Sequence, residues 1–247
     1  MGEVKVDIVV PSLNRYENIL TKKAVSNLIL CVPEYQEQEY KEYNPECKIV
    51  THPDDLLGIT KKRQWILEHY PNVFMIDDDI KSINRMYVES GEPYSLTPDE
   101  AYWIIQYIAN CANMAGAYLF GMNKSAKPTH YNEMKPIFMN GQIEGGIGIL
   151  DGGGLFFHEK ATVSEDYWIS GYNAYLNRYS WIDNRFSIVG KETFTNSGGL
   201  ASIRNLSEER ENTIWLREMF GEAITAKKDT NDATRKHQHQ RTLSIPY

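Results

Sequence analysis

Cysteine is scarce in this chain. Three cysteines, Cys31, Cys47 and Cys111, stand among 247 residues, and no two form a CxxC pair. An odd count at unpaired spacings excludes a disulfide framework and leaves a structural zinc ion without ligands, so a reducing compartment fits best. Long apolar runs are missing too: no window approaches the roughly 18 consecutive apolar residues of a membrane span. The opening, MGEVKVDIVV, passes into a strand pattern within a few residues. That leaves no room for a basic leader, an apolar signal core and a cleavage site. Val6 stands where N-myristoylation of Gly2 asks for Ser or Thr. A cytoplasmic protein without membrane association is the expectation. Positive charge is also in short supply, with 26 Lys and Arg against 33 Asp and Glu for a net charge of −7. Such a balance argues against coating nucleic acid or an anionic membrane with the whole surface, and is compatible with a local basic patch.

What is present suits a folded core. Hydrophobic residues make up 42% and charged residues 24%, ordinary globular proportions, and the length suffices for one large domain. The first third alternates strand and helix signals. Residues 5–11 (KVDIVVP) and 27–33 (NLILCVP) are short apolar runs, each closed by proline, and 48–51 (KIVT) and 72–76 (NVFMI) are two more. A polar, helix-compatible stretch at 34–43 and apolar residues at roughly helical spacing over 58–70 separate them. Strands apolar on both faces and separated by helices specify an α/β fold with a mostly parallel sheet flanked by helices. Thr97, Pro98 and Glu100 have the spacing of a capping box with proline at N1, opening a helix to about residue 113. Residues 117–122 read as a strand and 123–135 as a mobile loop with local positive charge. A further helix is expected from Glu165, capped by Ser164, and a last one over 207–220, followed by a polar tail that orders only against something. Gly145, Gly146, Gly148, Gly152, Gly153 and Gly154 crowd residues 142–157, implying tight turns or close backbone approach to a ligand.

The stretch with the clearest chemistry is VFMIDDDI, residues 73–80. Asp77, Asp78 and Asp79 fall at the carboxyl end of a parallel strand, beside the crevice where open α/β sheets bind ligands. Three neighbouring carboxylates repel one another, and a hard divalent cation, Mg²⁺ or Mn²⁺, relieves that repulsion. Mg²⁺ takes its remaining ligands from phosphate oxygens and water, so the cation implies a phosphate-bearing substrate. The bland alternative is a solvated acidic turn.

A strand ending in Asp-x-Asp, preceded by GITKKRQWIL and opened by a first strand ending VVPSLNR, resembles the GT-A fold glycosyltransferases. The order RQWIL, FMIDDDI and a later ED is most similar to the TET-associated glycosyltransferases of bacteriophages, which are thought to glycosylate hydroxymethylated pyrimidines in DNA. The resemblance spans residues 4–190 and implies a GT-A type, Rossmann-like fold with an acceptor-side elaboration. It implies one domain over 1–247: a nucleotide-sugar half to about residue 90, an acceptor and catalytic half over about 91–220, and a tail or lid over 221–247. A nucleotide-sugar donor, a UDP-hexose, is expected, with Mn²⁺ or Mg²⁺ on its diphosphate and the host cytoplasm as location. Pro11, Ser12, Asn14 and Arg15 end the first strand, where such enzymes grip the base and ribose. His52, Pro53 and Asp54 end the third, with Asp54 near the base. Arg63, with Lys61 and Lys62 as weaker candidates, reaches the nucleotide or its phosphates. Asp77 faces the ribose, Asp79 binds the metal directly, with Asp77 as a further ligand, and Asp78 is the middle position on the donor side. Glu165 and Asp166 match the second acidic motif, with Asp166 the preferred general base. His239, the better choice of His237 and His239, completes the metal shell.

Each assignment has a plainer reading: a strand-to-helix turn for Pro11 to Arg15, a surface ion pair for Arg63, acids favoured by the helix dipole for Glu165 and Asp166, and a solvated run for the histidines. Tyr167, Trp168, Tyr172, Tyr175, Tyr179 and Trp181 are mostly core, with one or two available to stack on a sugar or a flipped base. Lys124, Lys127, Lys227, Lys228, Arg235, Lys236 and Arg241 are candidate phosphate contacts for a DNA acceptor. The alternatives are a family-2-like transferase acting on a glycan, lipid or protein, a nucleotidyltransferase, and a catalytically silent DNA-binding module. A nucleotidyltransferase usually carries glycine and lysine straight after the first strand, and PSLNRYEN has neither. The sugar and the oligomeric state are not fixed by the sequence.

Overall fold

The computed structural model describes residues 2–88, 94–123, 125–190, 206–226 and 241–245. The strands are β1 (Asp7–Pro11), β2 (Leu28–Pro33), β3 (Lys48–His52), β4 (Val73–Ile76), β5 (Ile80–Arg85), β6 (Tyr94–Ser95), β7 (Leu119–Asn123), β8 (Ile137–Phe138), β9 (Gly146–Ile149), β10 (Trp181–Gly190), β11 (Ile224–Ala226) and β12 (Arg241–Leu243). The helices are α1 (Glu37–Tyr43), α2 (Ile59–His69), α3 (Pro98–Ala115), α4 (Glu165–Asn177) and α5 (Leu206–Phe220).

The large sheet runs in the order β3-β2-β1-β4-β9-β7-β10-β5-β6, with β8 also paired to β10. β1 is parallel to both β2 and β4, β2 to β3, and β7 to β10. β9 runs antiparallel between β4 and β7, and β5 returns antiparallel beside β10. The result is the expected α/β architecture with a mostly parallel central sheet.

Alternation along the strands sorts the core onto two faces. Ile8, Val10, Leu30, Phe74 and Ile76 point to one side, where Tyr40 of α1 and Ala101, Ile105, Ile108 and Ala112 of α3 cover them. Val9, Ile29, Cys31, Val73 and Met75 point to the other, under Ile66 of α2 and Ile169 of α4. A third cluster, Trp168, Trp215, Leu216 and Ile224, joins α4 to α5 and β11. Helix α3 opens with the expected capping box: Thr97 Oγ1 accepts from the Glu100 amide while the Glu100 carboxylate takes the Thr97 amide, and Gly116 closes the helix in the left-handed conformation. No helix among the described residues is long and apolar enough to cross a membrane.

The glycine-rich run divides in two: Gly145, Gly152 and Gly154 adopt left-handed backbone at φ 78°, 90° and 64°, in keeping with the expected tight turns, and the other three meet neighbouring side chains. Gly146 and Gly148 lie in β9, and a Cβ at Gly148 would sit 2.2 Å from the ring of Phe120, its partner across the strand pair. A Cβ at Gly146 would meet Phe74 and Ile188, and one at Gly153 would meet Tyr118. Gly146, Gly148 and Gly153 therefore make room for the side chains of Phe74, Ile188, Phe120 and Tyr118. Because Phe120 is fully buried and stacked on Phe74, its ring has no room to retreat. Gly148→Ala is expected to destabilise the protein by about 1–3 kcal/mol, read as a lower urea midpoint with an unchanged slope. An unaltered midpoint would show that the ring moves aside freely.

Candidate active site

The carboxyl ends of β1 and β4 lie side by side, and the turn after β4 carries the three aspartates. A crossing segment clamps that turn. Thr21 Oγ1 donates to the Asp77 carbonyl at 2.5 Å and accepts from the Ile80 amide at 3.0 Å, while the Leu20 amide donates to the Asp78 carbonyl at 2.9 Å. Locked this way, the three side chains diverge into separate environments.

Asp78 turns inward. Its Oδ2 accepts from Ser12 Oγ at 2.6 Å and its Oδ1 from Arg15 Nη1 at 2.6 Å. The Tyr40 hydroxyl, 2.8 Å from Ser12 Oγ, extends the network, and the Arg15 amide donates to it at 3.2 Å. Asn14 adopts the left-handed conformation (φ 56°) and exchanges hydrogen bonds with Gln36 through its amide and its side chain. Pro11 ends β1 at the base of this loop. Asp79 lies 3.5 Å from Arg15 Nη1, and its side chain is 24% exposed. Asp77 opens furthest to solvent, at 45%, with Oδ1 accepting from Arg63 Nη2 at 2.8 Å. Burial raises the carboxyl pKa of Asp78 and Asp79; Arg15 opposes the rise in both, and Ser12 also opposes it at Asp78.

Arg63 is the link to the second acidic motif. It projects from α2, is buried, and places Nη1 3.7 Å from Glu165 Oε1 while Nη2 holds Asp77. Helix α2 is fixed for this purpose by Thr60 Oγ1, which donates to the Ala161 carbonyl at 2.7 Å, and by Gln64 Oε1, which accepts from the Phe157 amide at 2.7 Å. Glu165 is buried at the first position of α4, and burial with Asp166 alongside pushes its carboxyl up to about 7 against the pull of Arg63. Asp166 is half-buried; its Oδ2 accepts from Gln142 Nε2 at 2.9 Å and its Oδ1 from the Tyr167 amide at 2.9 Å. Burial raises its pKa also.

The start of α4 departs from a simple serine cap. Ser164 occupies the N-cap position, but its Oγ donates to Asn212 Oδ1 at 2.5 Å instead of capping the helix. Asn212 on α5 also reaches Thr162 Oγ1 and accepts from the Val163 amide, and Glu208 takes the Thr162 hydroxyl. Arg241 on β12 completes the clasp: Nη1 reaches Glu209 Oε2 at 2.8 Å, the guanidinium lies 4.8 Å from the Tyr167 ring centre, and the Tyr167 hydroxyl donates to the Arg241 carbonyl. Arg241 is thus a buried structural cation, which corrects its reading as a phosphate contact. Sequence reasoning also missed Thr21, Gln142 and Asn212, whose roles arise from contacts distant in the chain.

Of the remaining candidates, Asp54 is exposed and accepts from the Tyr35 amide at 3.0 Å. His52 is buried at the end of β3, its Nδ1 2.9 Å from the Pro53 carbonyl. Lys62 is buried on α2, and burial lowers its pKa. His237, His239, Lys124, Lys227, Lys228, Arg235 and Lys236 lie outside the described residues. Trp168 belongs to the core, stacked between Tyr172 and Trp215.

Among the described residues no group of three or more His, Cys, Asp or Glu side chains is gathered as a metal site. Asp77 and Asp79 nonetheless suit a hard cation, since both are partly exposed at the same turn and Mg²⁺ needs only one or two protein carboxylates.

This chain is a glycosyltransferase. It belongs to the TET-associated glycosyltransferase family, whose model matches residues 6–199, and that membership decides against the nucleotidyltransferase and DNA-binding-module readings. A crystal structure of S. aureus TarS is similar at a TM-score of 0.48 and 11% identity, over 88% of this chain and 73% of that one. A CMP:2-keto-3-deoxy-manno-octonic acid synthetase complexed with CTP is similar at 0.38 and 11%, over 87% of this chain and all of that one. No curated protein matches the sequence.

The Glu165 shift carries a pH signature. Its folded pKa of about 7 exceeds the ordinary 4.5, so the folded state binds this proton more tightly. Its contribution to stability is full below 4.5, declines as pH rises, and is lost above about 7. Glu165→Gln removes that component. The stability of wild type relative to the variant, from urea unfolding, should fall between about pH 5 and about pH 8; an equal difference at both would refute the shift.

Proposed function

We propose that this glycosyltransferase moves a hexose from a UDP-hexose to the hydroxyl of a hydroxymethylated pyrimidine in DNA, as a bacteriophage-type modification enzyme. The bridge from Asp77 through Arg63 to Glu165 carries this reading, because it sets the donor-side aspartates against the acidic start of α4. On the donor side, Pro11, Ser12, Asn14 and Arg15 form the wall that meets base and ribose, with Asp54 at the rim and Arg63 behind the diphosphate. Asp77 and Asp79 would hold Mn²⁺ or Mg²⁺, with His239 as a further ligand. When bound, the ion supplies charge stabilisation for the departing diphosphate.

Asp166 is the proposed base, since it is more open than Glu165 and each of its oxygens is steadied by one N–H donor. The acceptor oxygen attacks the anomeric carbon as the bond from that carbon to the diphosphate oxygen breaks. UDP leaves with the bonding electrons, and the hydroxyl proton passes to Asp166. Glu165 positions Arg63 and keeps the carboxylate pair from ionising together at neutral pH.

The test is release of nucleoside diphosphate from a panel of nucleotide sugars with Mn²⁺, with and without hydroxymethylated DNA. DNA-stimulated release from a UDP-hexose is expected; release stimulated only by a glycan, lipid or protein would move the acceptor to the family-2-like class. Asp79→Ala should keep the fold and lose metal-dependent turnover by at least about 100-fold, and full activity would remove the metal assignment. Asp166→Asn should retain donor binding and lose transfer by about 100-fold or more. Unchanged transfer would exclude it as the base.

A further inference from the structure

Away from the carboxylate crevice, on the β5–β10 side of the sheet, rings and guanidinium groups form a continuous belt. The Arg185 guanidinium lies 5.5 Å from the ring centre of Tyr107 on α3 and 5.9 Å from that of Phe186. Phe186 meets Tyr87 edge-on at 6.0 Å, and Arg85 lies over Tyr87 at 5.2 Å and over Tyr94 at 4.6 Å. The belt joins α3, β10, β5 and β6. Phe186 is its buried floor, while Tyr87, Tyr94 and Tyr107 stand 45%, 44% and 47% exposed. That is more ring surface than packing against the core requires.

The belt is also organised. Asp183, with no exposed side-chain surface, receives two bonds from Arg185, Nη2 to Oδ2 at 2.6 Å and Nε to Oδ1 at 3.0 Å, which fixes the guanidinium plane. A cleft of about 460 Å³ opens beside Tyr87, walled by Met86, Pro128 and Tyr131 with Thr129 and Glu133 as polar groups. The Tyr87 and Tyr131 ring centres are 6.4 Å apart. Lys127 and Lys135 are exposed in the same loop, and Lys135 is tied to β10 because Asn184 Nδ2 donates to its carbonyl. Four cations, Arg85, Arg185, Lys127 and Lys135, thus stand here, with Asp183 paired to Arg185, Glu100 near Arg85 and Glu133 on the cleft wall.

We propose that this belt binds single-stranded polynucleotide, with bases lying on Tyr87, Tyr94 and Tyr107 and phosphates meeting Arg85, Arg185 and the two lysines. Every base has a π face, so half-exposed tyrosines accept any sequence, and interleaved cations follow the backbone. Asp183 takes only the Nε and one Nη2 bond of Arg185, so the rest of that guanidinium, with Arg85 and the two lysines, is what a polyanion would meet and a purely apolar partner would not, which is why the chemistry favours a polyanion. The inference rests on the reading that the acceptor is a nucleic acid. It adds where the strand lies while one of its nucleotides is engaged elsewhere, since a base reacts only out of its stack.

The test is fluorescence anisotropy of a labelled oligothymidylate of about ten nucleotides with the full chain, at rising salt. Binding that weakens with salt is expected, with a loss of about tenfold for Tyr87→Ala and a similar loss for Tyr94→Ala or Tyr107→Ala. Tyr175→Ala, which removes an exposed ring on α4 outside the belt, should bind as wild type does. Thermal melting checks that each variant is folded. Absence of salt-dependent binding overturns the proposal, as does equal binding by folded belt variants, or a change of oligomeric mass in place of a change in binding. Oligonucleotide capture by the belt without transfer to hydroxymethylated DNA would sink the acceptor reading and keep the belt. Transfer to that DNA undiminished in the belt variants would sink the belt and keep the acceptor.

Discussion

Two arginines make the carboxylate cluster at the end of β4 compatible with folding. Three consecutive aspartates and, opposite them, Glu165 and Asp166 bring five carboxyl groups to one edge of the sheet. Arg15 answers Asp78 and Asp79, and Arg63 answers Asp77 and Glu165. Removing one partner from a largely buried pair such as Arg15–Asp78 typically costs about 3–5 kcal/mol, because the other charge is left without compensation. Charge-assisted bonds of 2.6 and 2.8 Å are among the stronger polar contacts available. The negative surplus remaining over these two cations gives the edge its character: it is held together without being neutralised.

This arrangement also separates the three aspartates by role. Asp78 is consumed in holding the β1 and β4 ends together through Ser12 and Arg15, so it contributes rigidity. Asp77 and Asp79 flank it and keep contact with solvent. The three acids, given separate parts in the sequence, are in space one buried anchor and two partly exposed groups.

Much of the scaffold was legible because its signals are local. The apolar runs of β1 to β4, the periodicity of α2 and the capping box of α3 each depend on residues within one turn or strand. The long strand β10 escaped notice because WIDNRFSIVG mixes buried Asp183 and Ser187 with apolar residues, and its register shifts twice, against β7 and against β5. Arg63 and Asp166 were singled out by position, yet their partners were not legible. Gln142 and Asn212 are ordinary amides in sequence, and only the fold brings them to Asp166 and Ser164. Arg241 read as one basic residue in a polar tail, whereas burial against Glu209 and Tyr167 makes it part of the interior. The glycines of β9 misled for a related reason: a missing side chain signals space, and the sequence does not say that Phe74 and Phe120 fill it.

The clasp on α4 comes from α5 and β12, which follow the family-matched residues 6–199. During synthesis the central sheet is complete once β10 has emerged, since β11 and β12 form a separate pair. The bonds from Asn212 and Arg241 to the start of α4 come from residues further along the chain. The order of the chain therefore places every strand of the large sheet ahead of the residues that secure the start of α4. A truncation after β10 would keep every strand of the large sheet and remove the bracing at the start of α4, so the frame and the acidic helix start are separable parts of one molecule.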